Sequence, residues 1–205
     1  MTAEAYAHAR RWLASRPFIE KGRRHRYELF AAKCLNSRED SVLDVGSGSG
    51  TLIERYNHEN PITAIDLLDH TAHFVNRPNV RFVQADATRI PFPDNSFDVA
   101  FSNSVVEHLP LVLREAYARE IRRVSSRYFV QTPNRHFPIE PHYWLPLAQY
   151  TPKFVQDWLA ARFNDGEEIH LLTAQELQAL FPDAAIVRER FLGVAKSLIA
   201  IATTR

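Results

Sequence analysis

From Ser41 to the end of the chain, short apolar runs recur between longer mixed segments. The runs are Val42–Val45, Ile62–Asp66, Val80–Ala85, Phe97–Ser102, Tyr128–Thr132, Ala185–Phe191 and Ser197–Ala202. Most are continuous rather than alternating, which predicts strands buried on both faces, as in a parallel sheet covered by helices. Most connectors are long enough for a helix. After Pro110, Leu113, Tyr117, Ile121 and Val124 share one helical face. Thr151-Pro152 predicts an N-cap with proline at the first helical position, and Thr173-x-x-Glu176 predicts a capping box. The last two runs are joined through Gly193 with no room for a helix, so they predict an antiparallel hairpin at one end of the sheet. The fold class expected is α/β: a Rossmann-like, doubly wound, seven-stranded, mostly parallel sheet in three layers with a C-terminal antiparallel hairpin.

Before Ser41 the pattern is helical: Ala5, Ala9, Trp12 and Leu13 at helical spacing, then a stretch from about Glu20 to Leu35. Residues 1–38 hold nine Lys/Arg against three Glu, a net +6, which leaves −5 for the rest of a chain whose total is +1. Two readings of this segment stay open, amphipathic helices with solvated arginines or a basic cover over an anionic ligand. The expected organisation is one structural domain, with residues 1–40 a helical cover and 41–205 the α/β unit. At 205 residues, 45% hydrophobic and 24% charged, the chain has ordinary globular composition. The near-neutral total gives no global field favouring nucleic acid or an anionic membrane. The single Cys34 forms no internal disulfide and fits a reducing compartment. With no apolar run near ~20 residues and no secretory pattern at the start, the expectation is a cytoplasmic protein without a membrane span.

The most informative stretch is VLDVGSGSG (42–50), a strand running straight into Gly46, Gly48 and Gly50. Glycine lets main chain turn tightly and approach a ligand with no Cβ in the way. The dinucleotide fingerprint G-x-G-x-x-G/A fails, because its third position is Thr51, and no Gly-Lys-Ser/Thr follows to make a P-loop. Asp44 stands two residues before the first glycine. Asp66 ends the next strand, where an acid can accept from two ribose hydroxyls. Asp86 ends the third, where a carboxylate and the following backbone N–H can read an adenine edge. Three consecutive strands with acids at their carboxyl ends outline a nucleoside-shaped crevice.

In this combination, VLDVGSGSG, then ITAID (62–66), then VRFVQADATRIPFPDNSFDVAFSNSVVEHL (80–109), the chain resembles the class I S-adenosylmethionine-dependent methyltransferases over about residues 41–135. The resemblance implies S-adenosylmethionine as cofactor. It implies that Asp44, Gly46, Ser47, Gly48 and Gly50 line the methionine portion. Asp66 would then hold the ribose with Leu67 beside the adenine, and Asp86 and the Ala87 N–H would meet the adenine edge. Asn103 would lie near the sulfonium. Related enzymes often hold the cofactor carboxylate with a basic residue upstream of the glycine loop; Arg26 lies in that region, with Arg23 and Arg24 as rivals.

A sulfonium methyl is already activated, so protein of this kind supplies position, worth at best ~7–11 kcal/mol, and for a hydroxyl acceptor a general base worth ~10²–10⁴-fold. Three histidines are candidates. His142 ranks first and His136 second, both in a segment stiffened by Pro133, Pro138, Pro141 and Pro146 that also carries Glu140, Tyr143 and Trp144. His108, after Glu107, ranks third. That segment's TPNR…EPH pattern is similar to small-molecule and glycan-type bacterial methyltransferases. Ser-Asn-Ser-Val follows the fourth strand in place of the Asn/Asp-Pro-Pro-aromatic motif of base-amine and glutamine methyltransferases. Only Glu107 matches the two-glutamate loop of protein arginine methyltransferases. No Cys/His spacing suits zinc, and no basic stretch interleaved with aromatics supports nucleic-acid binding. Two function classes follow: a methyltransferase acting on a small-molecule or carbohydrate-like acceptor, at oxygen before nitrogen or carbon, or a non-catalytic cofactor-binding scaffold or sensor.

Overall fold

The computed structural model describes residues 17–50, 53, 55, 59–140, 145–163 and 169–203. A seven-stranded sheet in the order β3-β2-β1-β4-β5-β9-β8 forms its centre. The strands are β1 (Val42–Val45), β2 (Ile62–Asp66), β3 (Val80–Gln84), β4 (Phe97–Asn103), β5 (Ser125–Pro133), β8 (Ala185–Phe191) and β9 (Val194–Ala202). The first five are parallel, while β9 is antiparallel to both β5 and β8. All seven strands and the terminal hairpin expected from the apolar runs are present.

The sheet is covered on both faces, because every strand that is apolar on both sides must bury both. Against one face pack α3 (Arg114–Val124) and α5 (Ala174–Leu180), through Tyr117, Ile121, Leu177 and Phe181. On the other, Phe30 and Cys34 of α1 (Pro17–Cys34), Ile53 and Phe74 of α2 (Thr71–Phe74) meet Val42, Ile62, Phe101 and Phe129. Helix α1 is therefore one layer of the core along its C-terminal half. Its N-terminal part runs along the sheet edge that carries the candidate site. The helical pattern read before Pro17 lies outside the described residues.

Several boundaries differ from the sequence reading by a few residues, β9 for example beginning at Val194, and three departures have a clear local reason. Strand β5 begins at Ser125, not Tyr128, because its polar start is satisfied: Ser125 Oγ donates to the Ile121 carbonyl at 2.8 Å, and buried Arg127 reaches the Cys34 carbonyl and, at 3.1 Å, Asp40 Oδ2. After Pro110 the chain makes a 3₁₀ turn (Leu111–Leu113) before α3 starts at Arg114; Leu113, in the N-cap position, makes no side-chain cap. Thr151 does not cap the next helix. Its hydroxyl donates to the Ala148 carbonyl at 2.7 Å and closes a 3₁₀ turn (Ala148–Tyr150), while the Pro152 carbonyl accepts the first helical N–H bonds of α4 (Lys153–Phe163). The capping box at Thr173 and Glu176 forms in full. Within the proline-stiffened segment, β6 (Ile139–Glu140) pairs with β7 (Leu145–Pro146) as a small separate ribbon.

Candidate active site

The carboxyl ends of β1 and β4 open into a cleft of about 540 Å³, lined by Asp44, Gly46, Ser47, Ser49 and Gly50 of the glycine loop, Phe101 and Asn103, with Arg23, Arg55 and Arg77 among its walls. β1 delivers Asp44 in register with Phe101 of β4 and Ala64 of β2. The loop then needs its glycines for two separate reasons. Gly46 (φ +72°) lies in the left-handed region, and a Cβ there would sit 2.3 Å from a Val105 methyl. Gly48 (φ +56°) and Gly50 have no atom within 4 Å of where a Cβ would be, so here the loop faces open space. A side chain would fill that cradle.

Asp66, at the end of β2, is aimed at the loop. Its Oδ2 accepts from the Gly48 N–H at 2.9 Å and its Oδ1 from the Leu68 N–H at 3.1 Å. A carboxylate offers about four lone-pair sites, so these two bonds fix its orientation and leave capacity for two hydroxyls. Beyond it Leu67 and Leu68 are two-thirds exposed, an apolar flat suited to an aromatic base. The ladder carries one step past the β2–β3 register, with the Ala85 N–H donating to the Asp66 carbonyl at 2.8 Å, and this sets Asp86 beside that flat. Its Oδ1 is occupied by the Thr88 N–H and hydroxyl, both at 2.7 Å, which holds the carboxylate still. Ala87 follows directly.

Asn103 sits at the mouth of the same cleft, and Ser104 after it adopts φ +59°, a non-glycine residue in the left-handed region. Such strain needs support from its surroundings. Here Gln131 gives it, its carbonyl accepting from the Ser104 N–H at 3.0 Å and its Oε1 from the Ser104 hydroxyl at 3.1 Å. Arg26 does not line the cleft. Its Nη1 donates to Asn103 Oδ1 at 2.9 Å and to Gln131 Oε1 at 3.4 Å, while Nε and Nη2 donate to Glu189 Oε2 at 3.1 and 3.0 Å. Glu189 also accepts from the Ser197 hydroxyl at 2.5 Å. Burial pushes its carboxyl up, but Arg26 and the Ser197 hydroxyl outweigh this and hold it below the usual range. The guanidinium facing the cleft from α1 is Arg23.

The sequence-ranked histidines fare differently. His142, with Tyr143, Trp144 and the Glu140 side chain, lies outside the described residues. His136 is exposed, its Nδ1 3.4 Å from the Tyr150 hydroxyl, which itself donates to the Arg135 carbonyl. His108 sits half-buried on the 3₁₀ turn after β4. No histidine is among the described residues lining the cleft. Glu107 is fully buried, accepting from the Thr132 hydroxyl at 2.9 Å, so it braces β5 instead of facing solvent. Arg55, Arg77 and the Glu189–Ser197 pair were not found in the sequence, which carries no spacing signal for contacts 163 residues apart such as Arg26 to Glu189.

A glycine cradle, an oriented acid at the ribose position, an apolar flat and guanidinium groups at the far end together fit a nucleoside carrying an amino-acid tail. A family profile described as Methyltransferase domain matches residues 43–127. The chain is 35% identical over 88 residues to the ubiquinone/menaquinone biosynthesis C-methyltransferase UbiE of Pseudomonas fluorescens, covering 36% of this chain and 34% of that protein. It is 37% identical over 124 residues to a probable S-adenosylmethionine-dependent methyltransferase of Mycobacterium tuberculosis, covering 55% and 42%. It thus spans about a third to two-fifths of the length of these curated relatives. Among solved structures, the 1,6-didemethyltoxoflavin-N1-methyltransferase of Burkholderia thailandensis, with its substrate and S-adenosylhomocysteine bound, shares the fold at a TM-score of 0.63 and 17% identity. That match covers 98% of this chain and 84% of that one. Residues 43–127 thus match a methyltransferase domain, and the chain is similar in sequence and fold to S-adenosylmethionine-dependent methyltransferases. No helix among the described residues is long and apolar enough to cross a membrane.

Proposed function

We propose that the protein transfers a methyl group from S-adenosylmethionine to a small organic acceptor, with an oxygen nucleophile as the first choice. The observation that carries this reading is the open main-chain cradle at Gly48 and Gly50 with Asp66 held against it and Asn103 at its mouth. In the bound state the cofactor supplies a methyl group already activated by its sulfonium. The chain's own residues bind and orient it. Asp44, the loop from Gly46 to Gly50 (with Ser47) and Arg23 hold the methionine end, Asp66 the ribose, and Leu67, Asp86 and Ala87 the adenine. Asn103 stands near the sulfonium end with its Oδ1 tied to Arg26, so Arg26 acts as a positioning residue and not as a cofactor contact. For a hydroxyl acceptor the base comes first from the segment after β5, His142 and then His136, with His108 on the turn after β4 third.

A second reading, C-methylation of a quinone-like acceptor, is favoured by the likeness to UbiE. Transfer of label from methyl-labelled cofactor, assayed with a panel of hydroxylated aromatics, sugars and quinols, tests both, and NMR of the product assigns the methylated atom. Product labelled at oxygen supports the first reading and product labelled at ring carbon the second. Tight S-adenosylhomocysteine binding with no transfer to any acceptor would leave the scaffold or sensor role standing instead.

A further inference from the structure

We infer that the groove between α1 and the β8–β9 hairpin binds an anionic amphiphile, a carboxylate or phosphate head on an apolar chain. The groove, of about 300 Å³, shares no lining residue with the cofactor cleft and lies at the small end of ligand-site volumes. Its floor is apolar: Leu29 from α1, Val187 and Phe191 from β8, and Ile199 from β9. Leu192 and Val194, 87% and 44% exposed at the hairpin turn, continue apolar surface outward.

Basic residues predominate among the described residues around this floor. Among the described residues, Lys21, Arg188, Arg190 and Lys196 line the groove with one acid, Glu189. That acid is already committed, to the Arg26 guanidinium at 3.0 Å and the Ser197 hydroxyl at 2.5 Å. The part-buried Lys196 ammonium therefore sits beside Arg26 and Arg23 as well as Glu189. Burial first, then Arg26, hold it below the usual lysine value, and Glu189 opposes them. An apolar floor under a basic rim fits an anion that carries a hydrocarbon chain.

Gly22 supplies an independent observation. It stands inside the 18-residue helix α1, where glycine is unfavourable relative to alanine. Its backbone is ordinary, and a Cβ there would meet only Glu189 Oε1, at 3.9 Å. The missing side chain therefore serves the groove, not the helix: any larger residue at 22 would project into it. The segment preceding α1 carries Arg10, Arg11 and Arg16 against Glu4, the wrong sign to be the occupant.

Calorimetric titration of the full chain with dodecanoate and with dodecyl phosphate, each below its micelle concentration, tests the site. Dodecyltrimethylammonium, butanoate and inorganic phosphate serve as controls. The expected result is one site for the long-chain anions and none for the cation. Affinity should rise about fourfold per added methylene over short chains, and the two anions compared separate a carboxylate from a phosphate head. Lys196→Gln should weaken binding ~10-fold, and Gly22→Leu should abolish it while the melting temperature holds or rises. Equal binding of the cation, absence of binding by both long-chain anions, or affinity unchanged in both variants overturns the site. Titration of the same samples with S-adenosylhomocysteine reports the cofactor cleft separately, so failure of either site is distinguishable from failure of the other.

Discussion

On the β1–β3 side of the carboxyl edge the site is made largely of main chain: two left-handed glycines, the Gly48 N–H on Asp66, and the Ala85 N–H that continues the β2–β3 ladder. On the β4–β5–β9 side it is made of side chains: Arg26 spans Asn103, Gln131 and Glu189, and register places Glu189 opposite Ser197 and Ser197 opposite Pro133. Under the proposed function the first side would hold the one cofactor and the second would face the acceptor; the parts of the second come from α1, β4, β5 and the terminal hairpin. A backbone cradle is written within ten consecutive residues, whereas a side-chain network is written across the whole chain.

The largest expected effect strikes the side-chain half. Arg26→Met leaves Glu189 buried without its cation, and losing one partner of a buried pair costs about 3–5 kcal/mol. Urea unfolding should show that loss, and the Arg26→Met, Glu189→Gln double variant should recover much of it. Single and double variants of equal stability would mean that the pair does not couple α1 to the hairpin.

The main-chain half should fail differently. Gly48→Val puts a branched side chain into the open cradle at a left-handed φ. S-adenosylhomocysteine affinity should drop by about 100-fold or more, with ~1–2 kcal/mol of strain in stability. Unchanged affinity by calorimetry would remove the loop from the cofactor site. Asp66→Ala removes a carboxylate whose charge-assisted bonds contribute ~1.5–3 kcal/mol each, so affinity should fall by about tenfold or more with little change in melting temperature.

Acid should sharpen the contrast further. The Asp40 carboxyl is pushed up by burial, but the Asn36 N–H, Arg127 and the Ser37 N–H bring it below the usual range, and Arg26 does the same for Glu189. Groups depressed in the folded state contribute stability above their unfolded values, ~3.9 and ~4.3, and lose it as pH falls through the lower folded values. A stability profile should therefore fall below about pH 4. In Arg26→Met, Glu189 should no longer contribute to that fall, because burial then raises its carboxyl and protonation relieves the buried charge as pH drops; an unchanged profile would show that Arg26 does not hold Glu189 ionised.

The smallest effect concerns Cys34. Its thiol is buried and pushed up to about 12, burial outweighing Arg127, so alkylation at pH 8 should require denaturant. Rapid labelling of the native protein would show that the α1 layer opens readily.

Seven strands, their sequence order and the closing hairpin were legible without coordinates, as was the glycine turn that follows Asp44 and lines the cleft. Strand burial is recorded in continuous apolar runs, and the glycine turn is recorded by residues that only a tight, open loop requires. Boundaries at polar residues were not legible. Ser125 and Arg127 read as loop until the partners that satisfy them, the Ile121 carbonyl and Asp40, are brought alongside. Nor did the sequence separate Arg23 from Arg26. Three residues apart on one helix, they share composition and local pattern, yet α1's seating on the sheet turns Arg23 into the cleft and Arg26 onto Asn103 and Glu189. Local sequence determined the main-chain half of the site because turn geometry and strand periodicity are properties of neighbouring residues. Tertiary structure alone decided the side-chain half, because each of its bonds joins residues that only helix-on-sheet packing and strand register bring together.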